Sequence, residues 1–564
     1  MVVLIVNEFW WKKSVVYQIY PKSFKDTTGN GTGDLQGIID KLDYIKNLGV
    51  DVIWLTPVYE SPQRDNGYDI SDYYKIDSRY GDMKTFENLL SEAHKRNLKI
   101  ILDMVVNHTS TEHNWFKESC KSKDKPYRNF YIWKDGRNNG TPNNWQSKFG
   151  GSAWKYDETS GQYYLHLFDT TQADLNWENQ ALRKSIYDMM NFWLSKGVDG
   201  FRLDVVNLLS KDQAFPDDTL NTPSEDGRKY YTDGPKIHTL LKGINKNVFS
   251  KYNNMLTVGE MSSTSIDNCV KYTNPDEKEL SMSFSFHHLK VDYPNGEKWS
   301  AAPFDFLKLK QILSDWQYGM INGNGWNALF WCNHDQPRAV SRFGNDKEYH
   351  NESAKMLATT IHLLQGTPYI YQGEEIGMTN PSFDKIQDYR DVESINAYDI
   401  LKAKGKSENE IMDILKQKSR DNSRTPMQWN DSKNAGFTDG TPWINVSSNF
   451  SNINADKALK DKNSVFYHYK KLIELRKEYD IIAYGNFDLI LKNDTQIFAY
   501  IRRYKNEKLL VVNNFYAKNT TFTLPKDINF EGKSQVLISN YSDTQNNVNE
   551  FVLRPYESAA FYIR

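Results

Sequence analysis

Between Val15 and about Tyr479, short β-prone runs alternate with amphipathic helical stretches, a pattern that parallel βα units satisfy and few other folds can. Eight runs stand in order: Val15–Pro21, Val50–Val58, Leu98–His108, Gly200–Val205, Met255–Glu260, Leu280–Phe286, Ala328–Asn333 and Thr367–Gln372. Within Asp34–Leu48 the apolar residues Leu35, Ile38, Ile39, Leu42, Ile45 and Leu48 recur at helical spacing, and Ser353–Leu364 and Val465–Tyr479 carry similar faces. Eight such units close into an α/β fold, the (β/α)8 TIM barrel.

Two stretches break the rhythm. From His108 to about Glu178 the chain is dense in Gly, Asn, Trp and Tyr, which predicts an inserted domain (109–178) on the catalytic face after the third strand. Beyond Ile481 only strands recur: Asp488–Leu491, Gln496–Arg503, Lys508–Asn514, Thr520–Leu524, Gln535–Leu537 and Ala559–Tyr562. They predict a C-terminal antiparallel β-sandwich domain (481–564), leaving 1–108 and 179–480 to the barrel.

The charges, 70 Lys plus Arg against 72 Asp plus Glu, give a net of −2, so no global field steers the protein to nucleic acid or to a membrane. Cys120, Cys269 and Cys332 are odd in number and lack paired spacing, which excludes a disulfide framework and fits a reducing cytoplasm. The apolar run after Met1 lacks a basic segment before it and a small-residue cleavage site after it, so neither export nor a membrane span is expected.

Three acids stand at the carboxyl ends of separate strands: Asp204 after Gly-Phe-Arg-Leu, Glu260 after Val-Gly, and Asp335 after Asn-His. In a parallel barrel such ends converge on one face. Converging carboxylates are the equipment for cleaving a glycosidic bond, one as nucleophile and another as general acid and base. Strand alternation puts Arg202 on the face of Asp204, where its guanidinium is expected to lower the carboxyl pKa. Apolar neighbours of Glu260 are expected to raise its pKa, as a general acid requires.

The segments Asp103–His108, Gly200–Asp204, Val258–Glu260 and Asn333–Arg338 together resemble the four signature regions of the α-amylase family of glycoside hydrolases, and Gln172–Trp177 resembles the extra signature of its oligo-1,6-glucosidase branch. The resemblance implies that Asp204 is the nucleophile, Glu260 the acid/base and Asp335 the group that holds sugar hydroxyls. It implies a glucose pocket shaped by Asp65, Tyr68, His108, Arg202, His334 and Arg420. Retention of configuration would follow, with nucleophile and acid/base carboxyl groups about 5 to 5.5 Å apart.

Asp26, Thr28, Asn30 and Asp34, with the carbonyl of Thr32, place oxygens at alternate positions among glycines, a pattern that suits one structural Ca2+ or Mg2+. The branch has more acidic side chains here, so a weaker site is expected. No organic cofactor is called for.

The branch contains enzymes of several specificities, and Phe284–Trp299, after the sixth strand, is where they differ. Here it carries His288, Lys290 and Lys298, a local cationic cluster that suits one phosphate in a chain without net positive charge. Together with Trp10–Phe24 it resembles the phosphotrehalases of the branch, which implies cleavage of trehalose 6-phosphate to glucose and glucose 6-phosphate. The expected partner is thus a phosphorylated disaccharide, with no nucleic acid, no membrane and a monomeric enzyme. The alternatives are an oligo-1,6-glucosidase or α-glucosidase acting on unphosphorylated sugars and, more remotely, an inactive amylase-like binding subunit.

Overall fold

The computed structural model describes residues 9–219, 221 and 225–564. The apolar run after Met1 lies outside the described residues. Eight strands form a closed barrel: β1 (Val16–Ile19), β2 (Val52–Leu55), β3 (Lys99–Met104), β4 (Gly200–Leu203), β5 (Leu256–Met261), β6 (Met282–Ser285), β7 (Asn327–Leu329) and β8 (Thr367–Tyr371). Neighbours in sequence are neighbours in the sheet, β8 pairs back onto β1, and every pairing is parallel. β4 needs a glycine where it enters: Gly200 has φ +155°, and a Cβ there would lie 1.9 Å from the carbonyl oxygen of Leu256 on β5.

Several expected elements differ, and the third run ends at Met104, with His108 opening a separate strand. The helical stretch Asp34–Leu48 is two helices, Leu35–Asp40 and Leu42–Leu48, because Lys41 (φ −108°, ψ 4°) leaves helical geometry between them. Strand β7 stops at Leu329, four residues early, as the chain turns off to send the Trp331 indole N–H to the carbonyl of Leu357 at 2.7 Å. Asp335 therefore sits on a loop, where the Asn333 side chain accepts its N–H at 2.8 Å.

The insertion is closed at its base by His108–Ser110 pairing antiparallel with Gln172–Asp174. Above this hairpin-like base lie helix Asn114–Lys121 and a three-stranded sheet, with Trp145, Trp154, Phe215 and Tyr231 sharing an aromatic core. The C-terminal domain is a five-stranded sheet of β9 (Asn486–Ile490), β10 (Ile497–Tyr504), β11 (Glu507–Asn514), β13 (Ser534–Ser539) and β15 (Ser558–Ile563), in spatial order β9-β10-β11-β15-β13. It packs on a two-stranded sheet of β12 (Thr520–Thr523) and β14 (Glu550–Leu553), all antiparallel. β14 was not among the strands expected from the sequence. Tyr500 on β10 donates to the carbonyl of Thr360 at 2.9 Å and so ties this domain to the barrel. Among the described residues no helix is long and apolar enough to cross a membrane.

Candidate active site

A cavity of ≈ 270 Å³ opens at the carboxyl ends of the barrel strands, and Asp204, Glu260 and Asp335 all line it. Arg202 lies beneath, 1% exposed, in register with Asp103 on β3 and Val258 on β5. Its Nη1 donates to Asp103 Oδ1 at 2.6 Å and to Asp204 Oδ1 at 2.7 Å, and its Nη2 donates to Glu260 Oε2. One guanidinium therefore holds three acids. A buried cation so surrounded stays charged, and removing it would leave like charges facing one another.

The three cavity acids differ in electrostatics. Burial pushes Glu260 up to about 8: Arg202 opposes this, while Asp204 and Asp335 add to it. Burial also raises Asp204, against the pull of Arg202, so the expectation that the guanidinium would set a low pKa is corrected: desolvation wins. Burial thus raises both carboxyls of the pair, and the charge on Asp204 raises Glu260 further. At Asp335 burial acts upward, but His334, Arg420, Arg424 and Arg202 outweigh it and hold the carboxyl well below the usual range.

The inner end of the cavity is closed by polar pairs. Asp65 accepts from Arg420 Nη2 at 2.9 Å and from Gln172 Nε2 at 3.1 Å. Tyr68 donates to Asp103 at 2.8 Å and stacks on His334 with ring centroids 5.1 Å apart. The His334 Nδ1 accepts from Gln18 at 2.8 Å, so its proton belongs on Nε2, 3.3 Å from Asp335 Oδ2. His108 Nε2 bonds the carbonyl of Tyr68 at 3.1 Å, and burial depresses its pKa to about 4, which keeps the ring neutral. Arg424, which the sequence did not single out, donates to Asp335 at 2.7 Å. The pocket thus presents donors and acceptors in alternation, the chemistry of a sugar with many hydroxyls.

Around the mouth the cationic cluster is rearranged. Lys290 lines the cavity, with Ser263 Oγ at 3.4 Å. Lys298 also lines it, but Glu393 accepts from its ammonium at 2.6 and 2.7 Å, which neutralises it. His288 does not reach the cavity, a correction to the sequence reading: its Nε2 bonds the carbonyl of Phe330 at 2.8 Å and its ring packs on Phe330. The reason is local. His287–Lys290 is a 3-10 turn, which places residues three apart on one face and turns residue 288 away from residue 290. Lys148 from the insertion, unremarked in the sequence, also lines the cavity.

Neither Lys148 nor Lys290 is paired with a carboxylate among the described residues. Burial pushes Lys148 down to about 7, with Arg228 and Lys290 adding to it against Asp226. Burial, then Arg228, pushes Lys290 down to about 8. Of the aromatic residues in the insertion, Phe149 and Phe168 face the cavity, with centroids 5.7 Å apart, whereas Trp154 belongs to the insertion's own core.

The chain from residue 18 to 485 matches the family model described as alpha amylase, catalytic domain, and residues 497–559 match that of the alpha-amylase SusG C-terminal domain. The chain belongs to the α-amylase family. It is similar to the trehalose-6-phosphate hydrolase of Bacillus subtilis, 64% identical over 98% of each chain. It is also similar to the oligo-1,6-glucosidase of Parageobacillus thermoglucosidasius, 53% identical over 99% of this chain and 100% of that one. Among solved structures, the trehalose-6-phosphate hydrolase of Bacillus licheniformis superposes with a TM-score of 0.94 at 65% identity, covering 98% of this chain and 99% of that one. The chain is a glycoside hydrolase of this family, in keeping with the three acids of its cavity.

The loop expected to hold a cation lies away from the cavity, against Thr438. Asp26 Oδ1 accepts the N–H groups of Thr28 and Gly29 at 2.8 and 2.9 Å, and its Oδ2 accepts Gly31 N–H at 2.8 Å and the Thr438 hydroxyl at 2.5 Å. Asp34 accepts Thr27 N–H at 2.7 Å on one oxygen and caps the following helix through Gly37 N–H at 2.7 Å on the other. Asn30 is spent on the N–H of Thr32 at 2.8 Å. The oxygens of Asp26, Asn30 and Asp34 are thus engaged mostly by the loop's own donors, which suits at most a weakly held ion. Dialysis against a chelator should therefore move Tm by less than about 2 °C, since a weakly held ion stabilises little. A larger fall, restored by Ca2+ or Mg2+, would reinstate the cation.

Proposed function

We propose that this chain is a retaining α-glycoside hydrolase that cleaves trehalose 6-phosphate to glucose and glucose 6-phosphate. The Asp204 carboxylate attacks the anomeric carbon of the unphosphorylated glucose while Glu260 gives its proton to the bridging oxygen. The glycosidic bond breaks, and a glucosyl ester of Asp204 forms. Glu260, now ionised, takes a proton from water, which attacks the same carbon and frees Asp204. Asp335, anchored by Arg424, holds glucose hydroxyls, and Asp65, Arg420 and His108 close the pocket around them, with His334 buried behind Asp335.

The observation that carries the choice of substrate is the pair Lys148 and Lys290. Two half-buried ammonium groups that make no ion pair with a carboxylate among the described residues are costly in an empty site and favourable beside a dianion. Phe149 and Phe168 line the same cavity as that pair and the catalytic acids, and their faces suit stacking on sugar rings. Lys298, with its charge spent on Glu393, supports the reading less. The relatives that bear the name trehalose-6-phosphate hydrolase support it independently. The oligo-1,6-glucosidases at about half identity make isomaltose the competing substrate. They leave the unpaired lysines without a purpose. A sugar phosphate does not cross membranes unaided, so the reading carries a cytoplasmic location with it.

Hydrolysis rates on trehalose 6-phosphate, trehalose and isomaltose test the proposal. The phosphorylated sugar should be cleaved fastest, and Lys148→Gln or Lys290→Gln should each lower kcat/KM for it by about 10- to 100-fold, from roughly 1.5–3 kcal/mol per charge-assisted contact. Faster cleavage of isomaltose would defeat the phosphate reading and leave the glycosidase intact.

A further inference from the structure

We propose that Asn207 is a positioning residue that locks the loop of Asp204 to the loop of Glu260. It stands three residues after Asp204, is fully buried and does not line the cavity. Its side chain grips a single residue of the neighbouring loop at two points. Nδ2 donates to the carbonyl of Ser262 at 2.9 Å, and Oδ1 accepts the N–H of Ser262 at 2.9 Å. Ser262 is two residues beyond Glu260. An amide whose two ends are both fixed on one backbone residue cannot rotate, so the two loops move as one body.

A second ring of bonds holds the clamp from behind. Asn207 Nδ2 also donates to Asp233 Oδ1 at 2.9 Å, and Asp233 returns its own N–H to the carbonyl of Asn207 at 2.9 Å. Asp233 in turn accepts from Tyr272 at 2.6 Å, Thr264 at 2.8 Å and Asn268 at 2.9 Å. On the far side Lys211 donates to the carbonyl of Leu208 at 2.8 Å and to Asn107 at 2.9 Å, tying the same turn to the loop after β3. The turn needs holding. Val205, between Asp204 and the clamp, has φ +34°, a left-handed conformation that a β-branched residue adopts only under constraint. In that conformation its N–H points at Glu260 Oε2, 3.2 Å away. Through this chain of contacts Asn207 sets the spacing between the two carboxyl groups, the quantity on which the retaining path depends.

The inference rests on Asp204 and Glu260 being the reacting pair and is independent of which sugar is cleaved. Asn207→Ala should lower kcat per titrated active site by about 10- to 100-fold, with KM within about threefold, as small misplacements of reacting groups do. The loss should be smaller on an aryl α-glucoside with a good leaving group, which does not need the Glu260 proton. The basic limb of the kcat profile should move to higher pH, because a slackened Val205 N–H no longer favours ionised Glu260. Should Asn207→Ala fail to fold, Asp233→Asn, which sets an amide against Asn207 Nδ2, should give the same pattern at smaller amplitude. Unchanged kcat per titrated site in the folded variant, with only Tm lowered, would reduce the network to ordinary packing. Asp204→Asn assayed in parallel separates the failures: if it is active, the assignment of the pair has failed rather than the clamp.

Discussion

Asp204→Asn is expected to lower kcat by roughly 10⁴-fold or more with little change in KM, the pattern left when a nucleophile is lost and binding is kept. The amide has the shape of the carboxylate but no charge with which to attack. Arg202 retains Asp103 and Glu260 as partners, so the substitution removes one of its three acids without leaving the cation unpaired. A second consequence can be checked in the residual activity. Asp204 is one of the charges that hold Glu260 high, so neutralising it lets the Glu260 pKa fall and moves the basic limb of the profile to lower pH. Mass spectrometry of the wild type during turnover of a slow, activated glucoside should find the glucosyl group on the peptide that contains Asp204, and the variant should carry none. A variant with kcat within tenfold of the wild type would remove Asp204 from the nucleophile's place. Product anomers resolved by NMR complete the test, since the first-formed glucose should be the α anomer if two displacements occur at one carbon.

Barrel and acids were legible because each is written locally. A strand run bounded by turn signals says where a barrel strand is, and an acid at its end says which face it serves. What failed was whatever depended on contacts distant in sequence. The strand after Trp326 was extended to Asn333 because Phe330, Trp331 and Cys332 are as β-prone as the residues before them, and only the packing of Trp331 on the helix carrying Leu357 ends it. The break at Lys41 has no Pro or Gly to announce it. Lys148 gave no signal at all, being one lysine in a loop rich in Gly, Asn and Trp. Its meaning comes from Lys290, 142 positions later, with which it shares a cavity wall. Glu393 is a similar case. It lies in a segment without periodicity, and its pairing with Lys298 converts an expected phosphate ligand into a neutralised one. His288 shows the converse, a residue near the right place in sequence and on the wrong side of a single turn.

Discrimination for the phosphorylated substrate should disappear as pH rises, while the chemistry shared with an unphosphorylated substrate follows its own profile. Burial depresses Lys148 to about 7 and Lys290 to about 8, and each must be protonated to hold a dianion. The groups that face them are Arg228, Asp226 and the neighbouring His287, which burial keeps neutral with a pKa of about 4. The sign follows from these directions. The contribution of the lysines is fully present below pH 7 and is lost as pH passes through 7 and 8. The substrate's own phosphate becomes a dianion only above about pH 6, so selectivity should peak between about 6 and 7. Glu260, held near 8, must also keep its proton, and its loss lowers turnover of every glycoside with a poor leaving group. The ratio of kcat/KM on trehalose 6-phosphate to that on isomaltose cancels this shared limb and isolates the lysines. From pH 7 to 9 that ratio should fall by at least about tenfold, the scale set by one pKa unit of differential interaction. In Lys148→Gln/Lys290→Gln the ratio should be low throughout and flat above pH 7. A wild-type ratio that stays constant from pH 6 to 9 would mean that the phosphate is held by groups that do not titrate, and Lys148 and Lys290 would lose their role.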